Sequence, residues 1–146
     1  DTILQLCSQN KLFYQYHPPF ATKESIIEDM QGLPPGKDKK DKFYVGYFEG
    51  NDLVAVLDLI LGYPDEKTAY IGFFMMNKEY QEKGIGTQII NECAEYLKGL
   101  HFEKIRLAID RGNPQSKVFW RKNRFVKTGE EIENEFSAFL PMERIL

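Results

Sequence analysis

The sequence predicts a mixed α/β domain in which an antiparallel meander of three strands comes first and helix-linked strands follow. Three observations carry this. Residues 43–48, 53–61 and 69–76 are aromatic, β-branched or almost wholly apolar, and only turn chemistry separates them. Residues 84–100 place Ile85, Ile89, Cys93, Leu97 and Leu100 in steps of four, four, four and three, one apolar stripe on a helix. Beyond it a strand, a short helix and two more strands follow. A meander at the start rules out the strict strand–helix alternation of a doubly wound sheet.

A chain of 146 residues, 42% hydrophobic and 28% charged, has room for one domain, residues 1–146, with a sizeable core. That composition excludes a disordered or collagenous chain. The formal charge of -3 argues against a general nucleic-acid binder. No run reaches the ~18 apolar residues needed to cross a membrane. Two cysteines, Cys7 and Cys93, make neither a disulfide scaffold nor a metal-ligand pattern, so no metal is expected. They suit a reducing compartment, the cytoplasm.

Taken in order, residues 2–9 set Ile3, Leu4, Leu6 and Cys7 at helical spacing. Residues 11–20 carry Phe13, Tyr14, Tyr16 and His17 into Pro18-Pro19, an extended or turn segment. Thr22 is the expected N-cap of a helix with Glu24 in its first turn and Ile26, Ile27 and Met30 on its apolar face. Gly32 and Pro34-Pro35-Gly36 stop it. Residues 37–42, Lys-Asp-Lys-Lys-Asp-Lys, read as a solvated loop of mixed sign. Residues 49–52 turn the first strand into the second, and residues 62–67 turn the second into the third. The second strand holds one charge, Asp58, on a face with Val56 and Ile60. An unpaired buried carboxylate is costly, so Asp58 has a partner, titrates upward or faces an open cleft. A structural pairing and a role as general base or amine contact both stay open for it. Residues 104–109 form the next strand. A short helix starts at Pro114 after Asn113, and residues 125–128 and 136–140 read as a closing strand pair.

Residues 76–87 carry the chemistry. A strand ends, a loop follows, and Gly84 and Gly86 open the amphipathic helix. The first N–H groups of a helix lack internal partners and its dipole is positive there, so the pattern suits an anion. A dinucleotide fingerprint needs a third glycine where Ile89 stands, and a Walker loop needs a lysine that Gly86-Thr87-Gln88 lacks. A bare helix start is the remaining alternative.

Gln81-Glu82-Lys83-Gly84-Ile85-Gly86 matches the Gln/Arg-x-x-Gly-x-Gly/Ala signature of the GNAT acetyltransferases. Residues 113–125, Asn-Pro-Gln-Ser-Lys-Val-Phe-Trp-Arg-Lys-Asn-Arg-Phe, resemble that family's second motif, and the order of elements is similar over roughly residues 3–140. The resemblance implies a central splayed mixed sheet of six to seven strands flanked by helices, with acetyl-CoA as the acyl donor. It implies an N-acetyltransferase in which a small-molecule or protein amine attacks the thioester directly. The strand ending in Phe74, Met75 and Met76 is then expected to pair its backbone with the pantetheine arm. Gln81, Glu82, Lys83, Gly84, Ile85, Gly86 and Thr87 form the phosphate loop, and Asn113 hydrogen-bonds the cofactor. A backbone N–H of Met75 or Met76 is the expected oxyanion donor. The segment with Tyr14, Tyr16 and His17 shapes the acceptor pocket in the family, although His17 itself reads as a surface-loop histidine. His101 reads as the end of the long helix and Cys93 as an inert core thiol. Family members are often dimers, so a homodimer is a further expectation.

The chain also departs from the family. Trp120 stands where many members carry a tyrosine acid, and it reads as a packing or pantetheine-facing aromatic that cannot release a proton near neutral pH. Ala108 stands where members that acetylate protein N-termini often carry glutamate. Arg124 replaces the usual glycine before Phe125, which changes the expectation for that turn. A strand normally precedes the first helix and none precedes Thr2, so a trimmed chain or a missing first strand is expected. The reading that competes with an enzyme is a catalytically silent acyl-CoA-binding module with a sensing or scaffolding role.

Overall fold

Strands β1 (Lys42–Glu49), β2 (Asp52–Leu61) and β3 (Thr68–Met76) form the antiparallel meander that their apolar runs predict. β2 is buried at eight consecutive positions, Leu53 to Ile60, because layers cover both of its faces. The computed structural model describes residues 1–129, the backbone of residues 132–133, and residues 138–146. A parallel partner needs a crossover, and helix α4 (Ile85–Gly99) provides it between β3 and β4 (Lys104–Asp110). Helix α5 (Pro114–Lys122) leads to β5 (Val126–Lys127) and β6 (Ile132–Glu133), both paired with β7 (Ala138–Ile145). The seven strands form one mixed sheet in the order β1-β2-β3-β4-β7-β5, with β6 also on β7. Of the closing strand expected at 136–140, residues 136 and 137 lie outside the described residues.

Helix α4 packs its stripe, with Ile90 and Leu97 fully buried, against Leu57, Ile71, Ile105 and Leu107 of the sheet. Helices α1 (Thr2–Ser8), α2 (Lys11–Tyr16) and α3 (Lys23–Gln31) cover the other face through Leu6, Tyr14 and Ile26 on Val56 and Met75. α3 starts as predicted, with Thr22 and Ser25 exchanging capping bonds of 3.0 and 2.9 Å. α2 is a short helix that the sequence reading did not assign; the proline pair after it is non-helical, as expected. Lys42 likewise leaves the expected loop and opens β1. At the end of α4, His101 takes the left-handed conformation (φ 71°) and Phe102 N–H closes on Leu97 O at 3.1 Å. No helix among the described residues is long and apolar enough to cross a membrane.

The feature that positions the site is a split between β3 and β4. Their pairing runs only from Thr68–Ile71 against Lys104–Leu107. Beyond it, Ala108 to Asp110 continue on β7, and among the described residues β3 from residue 72 onward has no strand partner on that side. The register against β2 skips Gly72, since Asp58 faces Phe73 while Leu59 faces Ile71. Gly72 is therefore the extra residue of a bulge, and a bulge bends its strand. It must be small, because a Cβ there would lie 2.8 Å from Asp58 Oδ2.

Candidate functional site

The open edge of β3 forms one wall of a groove of about 680 Å³. Asn77 N–H bonds Val54 O at 2.7 Å, so alternation along the strand turns Met75 toward β2 as well. Phe74 and Met76 then direct their N–H and C=O groups into the split. The Met76 carbonyl is on that side, where it accepts from Asn10 Nδ2 and Gln81 Nε2 at 3.0 Å each. Gln81 Nε2 also donates to Asn10 Oδ1 at 2.7 Å, and Asn10 Nδ2 to Leu6 O at 2.9 Å. This network ties the junction of α1 and α2 to the end of β3. Asn10 went unnoticed in the sequence, where nothing sets it apart from any polar residue between helices.

The groove ends at the start of α4. Gln88 N–H is the first to bond within the helix, to Gly84 O at 3.1 Å, and no side chain caps it. The N–H groups of Ile85, Gly86 and Thr87 are thus without helical partners. The two glycines serve different needs. Gly84 has φ +79° with nothing near its Cβ direction, a backbone requirement. At Gly86 a Cβ would lie 3.0 Å from the Phe119 ring, so this glycine also makes room for a packed aromatic. Phe119 in turn stacks on Phe74 at 5.9 Å and meets Trp120 edge-on at 4.9 Å.

Most of the expected cofactor residues meet in this groove: Phe74, Met75, Met76, Gln81, Glu82, Gly84, Gly86, Thr87 and Trp120 line it. Lys83, Ile85 and Asn113 do not. The Lys83 ammonium lies 5.9 Å from the Tyr80 ring centre, and Ile85 packs with Ile89 and Met76. Asn113 is 1% exposed and caps α5, its Oδ1 accepting from Gln115 and Ser116 N–H at 3.0 and 3.2 Å. Its Nδ2 is buried with no protein partner among the described residues.

A second cavity of about 380 Å³ lies on the side of α1–α3 and shares Phe13 with the groove. Aromatic rings of Tyr14, Phe20, Tyr44 and Phe73 wall it, with Asp29, Lys42 and Asp58 among them. Burial pushes both tyrosine hydroxyls well above their ordinary range. Asp58 is 7% exposed; its Oδ2 pairs with Lys42 Nζ at 3.2 Å while Oδ1 has no partner. Burial raises its carboxyl and Lys42 pulls it back. Of the alternatives open for Asp58, the structure shows a partner, Lys42, and also places the residue in a cavity. His17 is exposed just after α2, as its surface-loop reading expects, but it has a buried partner that the sequence did not indicate. Its Nδ1 lies 3.0 and 3.1 Å from the two carboxylate oxygens of Asp110, which is 6% exposed.

A model of the acetyltransferase (GNAT) family matches residues 6–125. The chain belongs to the GNAT family. No match was found among curated protein sequences. Solved structures share the fold at low identity. An acetyltransferase from Thermus thermophilus is 20% identical with a TM-score of 0.78, over 99% of this chain and 89% of that one. The PaiA N-acetyltransferase of Thermoplasma acidophilum, in complex with coenzyme A, is 19% identical with a TM-score of 0.68, over 99% and 91%. The spermidine N-acetyltransferase of Vibrio cholerae, in complex with coenzyme A and spermine, is 18% identical with a TM-score of 0.70, over 98% and 87%.

Within this GNAT fold the departures have visible local solutions. Trp120 is 7% exposed and meets Phe74 and Phe125 edge-on, a packing residue that also lines the groove. Among the described residues no tyrosine lines the groove. Arg124 keeps the left-handed turn that glycine usually makes, at φ 69°. Cys93 stays on the buried stripe, its thiol pushed by burial to about 11, as an inert core residue would be.

Proposed function

We propose that this GNAT protein is an acetyl-CoA-dependent N-acetyltransferase acting on a small-molecule or protein amine. One observation carries the reading: the unpaired edge of β3 runs directly into an uncapped helix start, in a single groove. The residues present fit the donor. The outward N–H and C=O of Phe74 and the N–H of Met76 can pair with an amide-bearing arm as an added strand would. The free N–H groups of Ile85, Gly86 and Thr87, with the helix dipole behind them, suit a pyrophosphate. The coenzyme A complexes of the neighbouring folds support the same choice.

Bound there, acetyl-CoA supplies an activated thioester carbonyl. Of the two backbone groups expected as oxyanion donor, Met76 N–H points into the split and Met75 N–H does not. A donor of this kind is worth ~2.7–4 kcal/mol. The aromatic cavity around Asp58 and Asp29 receives the amine from the opposite side. Trp120 offers no acid, yet a thiol with a pKa of ~8.5 lies only about one unit above cellular pH, or ~1.4 kcal/mol, so a thiolate leaves with little help. Two free, buried thiols support a reducing compartment, the cytoplasm.

The test is a thermal shift with acetyl-CoA against NAD and ATP. At 100 times the dissociation constant a ligand adds ~2.7 kcal/mol, raising the midpoint by roughly 5–10 °C. A shift with acetyl-CoA alone is expected, followed by thioester turnover on an amine panel. No shift would refute the donor site; a shift without turnover would identify a silent acyl-CoA-binding module.

A further inference from the structure

Two sites meet at the split, and one ionisable pair stands between them with no part in the reading above. Ile71 is level with Leu107 at the last paired position. Beyond it the strands part, leaving Phe74 on the open edge of β3 and Asp110 at the end of β4. Asp110 is buried, and the residue it holds is His17, which follows α2 and lines the acceptor-side cavity. The His17 ring lies 5.3 Å from that of Phe13, the side chain common to both cavities, and 6.1 Å from Phe139 of β7. Nδ1 lies on both carboxylate oxygens, so Nδ1 carries the proton and donates it. That leaves the lone pair on Nε2, which has no partner among the described residues, and the side chain is 45% exposed.

We infer that His17, oriented by Asp110, is the general base that deprotonates the acceptor amine, an inference that rests on the N-acetyltransferase reading. An ammonium acceptor loses two protons on becoming an amide. His17 Nε2 takes the first, which frees the nitrogen lone pair to form the C–N bond, and then returns that proton to solvent. The second leaves nitrogen as the C–S bond breaks and neutralises the departing thiolate. The amide keeps the third. Asp110 positions the ring and stabilises the imidazolium that forms. Both charged groups that act on the ring, Asp110 on β4 and Asp29 on α3, favour its protonated form, while Phe13 and Phe139 add no charge. The hydrogen bond to Asp110 raises His17 above its ordinary value against the opposing effect of burial. Neutral His17 is therefore lost as pH falls through a point above ~6.5.

The chain has two histidines, so NMR of the imidazole nitrogens, with His17→Gln to assign the signals, reads His17 directly. The expected result is an Nδ1–H tautomer titrating above ~6.5 and moving down in Asp110→Asn. An Nε2–H tautomer, or a midpoint that Asp110→Asn leaves in place, overturns the pairing. In parallel, kcat/KM is followed against pH with acetyl-CoA and the best of spermidine, tryptamine and an alanine-initiated peptide. General-base loss predicts a fall of ~10²–10⁴ in kcat for His17→Gln with coenzyme A binding unchanged. The acidic limb moves down in Asp110→Asn. Unchanged kcat and an unchanged limb in His17→Gln, with coenzyme A still bound, would refute the base alone. Wild-type protein that binds no coenzyme A would overturn the underlying reading and this inference with it.

Discussion

Substituting Gly86 by alanine tests whether the signature glycine is there for packing. A Cβ at this position meets Phe119 Cε1 at 3.0 Å and Cζ at 3.2 Å, with Met76 Sδ at 3.6 Å. Any shift of the ring disturbs its stacking on Phe74 and its edge-on contact with Trp120. Overpacking of this kind costs ~1–3 kcal/mol. Alanine's better helix propensity opposes it by at most about 1 kcal/mol in a helix interior. Overpacking wins, and a net loss of about 1–2 kcal/mol lowers Tm by ~2–4 °C for each kcal/mol at this chain length. Scanning calorimetry of Gly86→Ala, Phe119→Leu and the double variant measures the coupling. Since the leucine relieves the clash, the double variant is expected to be more stable than the sum of the single effects by ~0.5–3 kcal/mol. Gly84→Ala is the contrasting case. Nothing lies near its Cβ direction, so its cost of ~1–2 kcal/mol comes from the left-handed backbone alone and adds to Phe119→Leu without coupling. Wild-type stability in Gly86→Ala, or strict additivity with Phe119→Leu, would refute the packing argument.

Two further substitutions follow from buried charge and backbone strain. Lys42 Nζ donates to Asp29 O, Gly32 O and Asp58 Oδ2, so Lys42→Met leaves the buried Asp58 carboxylate alone at a cost of ~3–5 kcal/mol near neutral pH. Asp58 is already raised in the folded protein, so the folded state binds more protons than the unfolded one between the two pKa values and gains stability as pH falls through the higher. Denaturant titrations should therefore show Lys42→Met recovering relative to wild type on acidification; a deficit independent of pH would contradict the pair. Arg124 holds φ 69°, and its charge adds to burial in disfavouring the charged form of Arg144. Arg124→Gly should gain about 1 kcal/mol, raising Tm by ~2–4 °C, and a lower Tm would show that the arginine has an offsetting contact.

Much of this molecule was legible locally. The meander, α4, the Thr22 cap, the start of α5 at Asn113 and the Gly84–Gly86 helix start all follow from patterns within a few residues, because backbone preference and the period of apolar side chains act at that range. α2 escaped since six residues with one buried side chain, Tyr14, carry too little periodicity to compete with the proline pair after them. The donor groove was largely legible because it is built from backbone, and a glycine-rich helix start announces its free N–H groups in the sequence.

The other side of the site depends on distant partners. His17 looked like any loop histidine because the carboxylate that fixes it lies 93 residues away in the chain. Asp58 signalled in the sequence that it needed a partner, but only the pairing of β1 with β2 chose Lys42, a residue that its own segment marked as solvated loop. Gly86 was legible as a glycine of the helix start, but its close contact with Phe119 was not. The split itself arises where the β2–β3 register skips Gly72, and a register is a relation between strands. Sequence by itself thus determined the elements and the anion-binding helix start, through forces that act between near neighbours. Tertiary structure alone decided where β3 parts from β4 and which charges meet across the gap, because bulges and buried ion pairs exist only once separate segments are packed together.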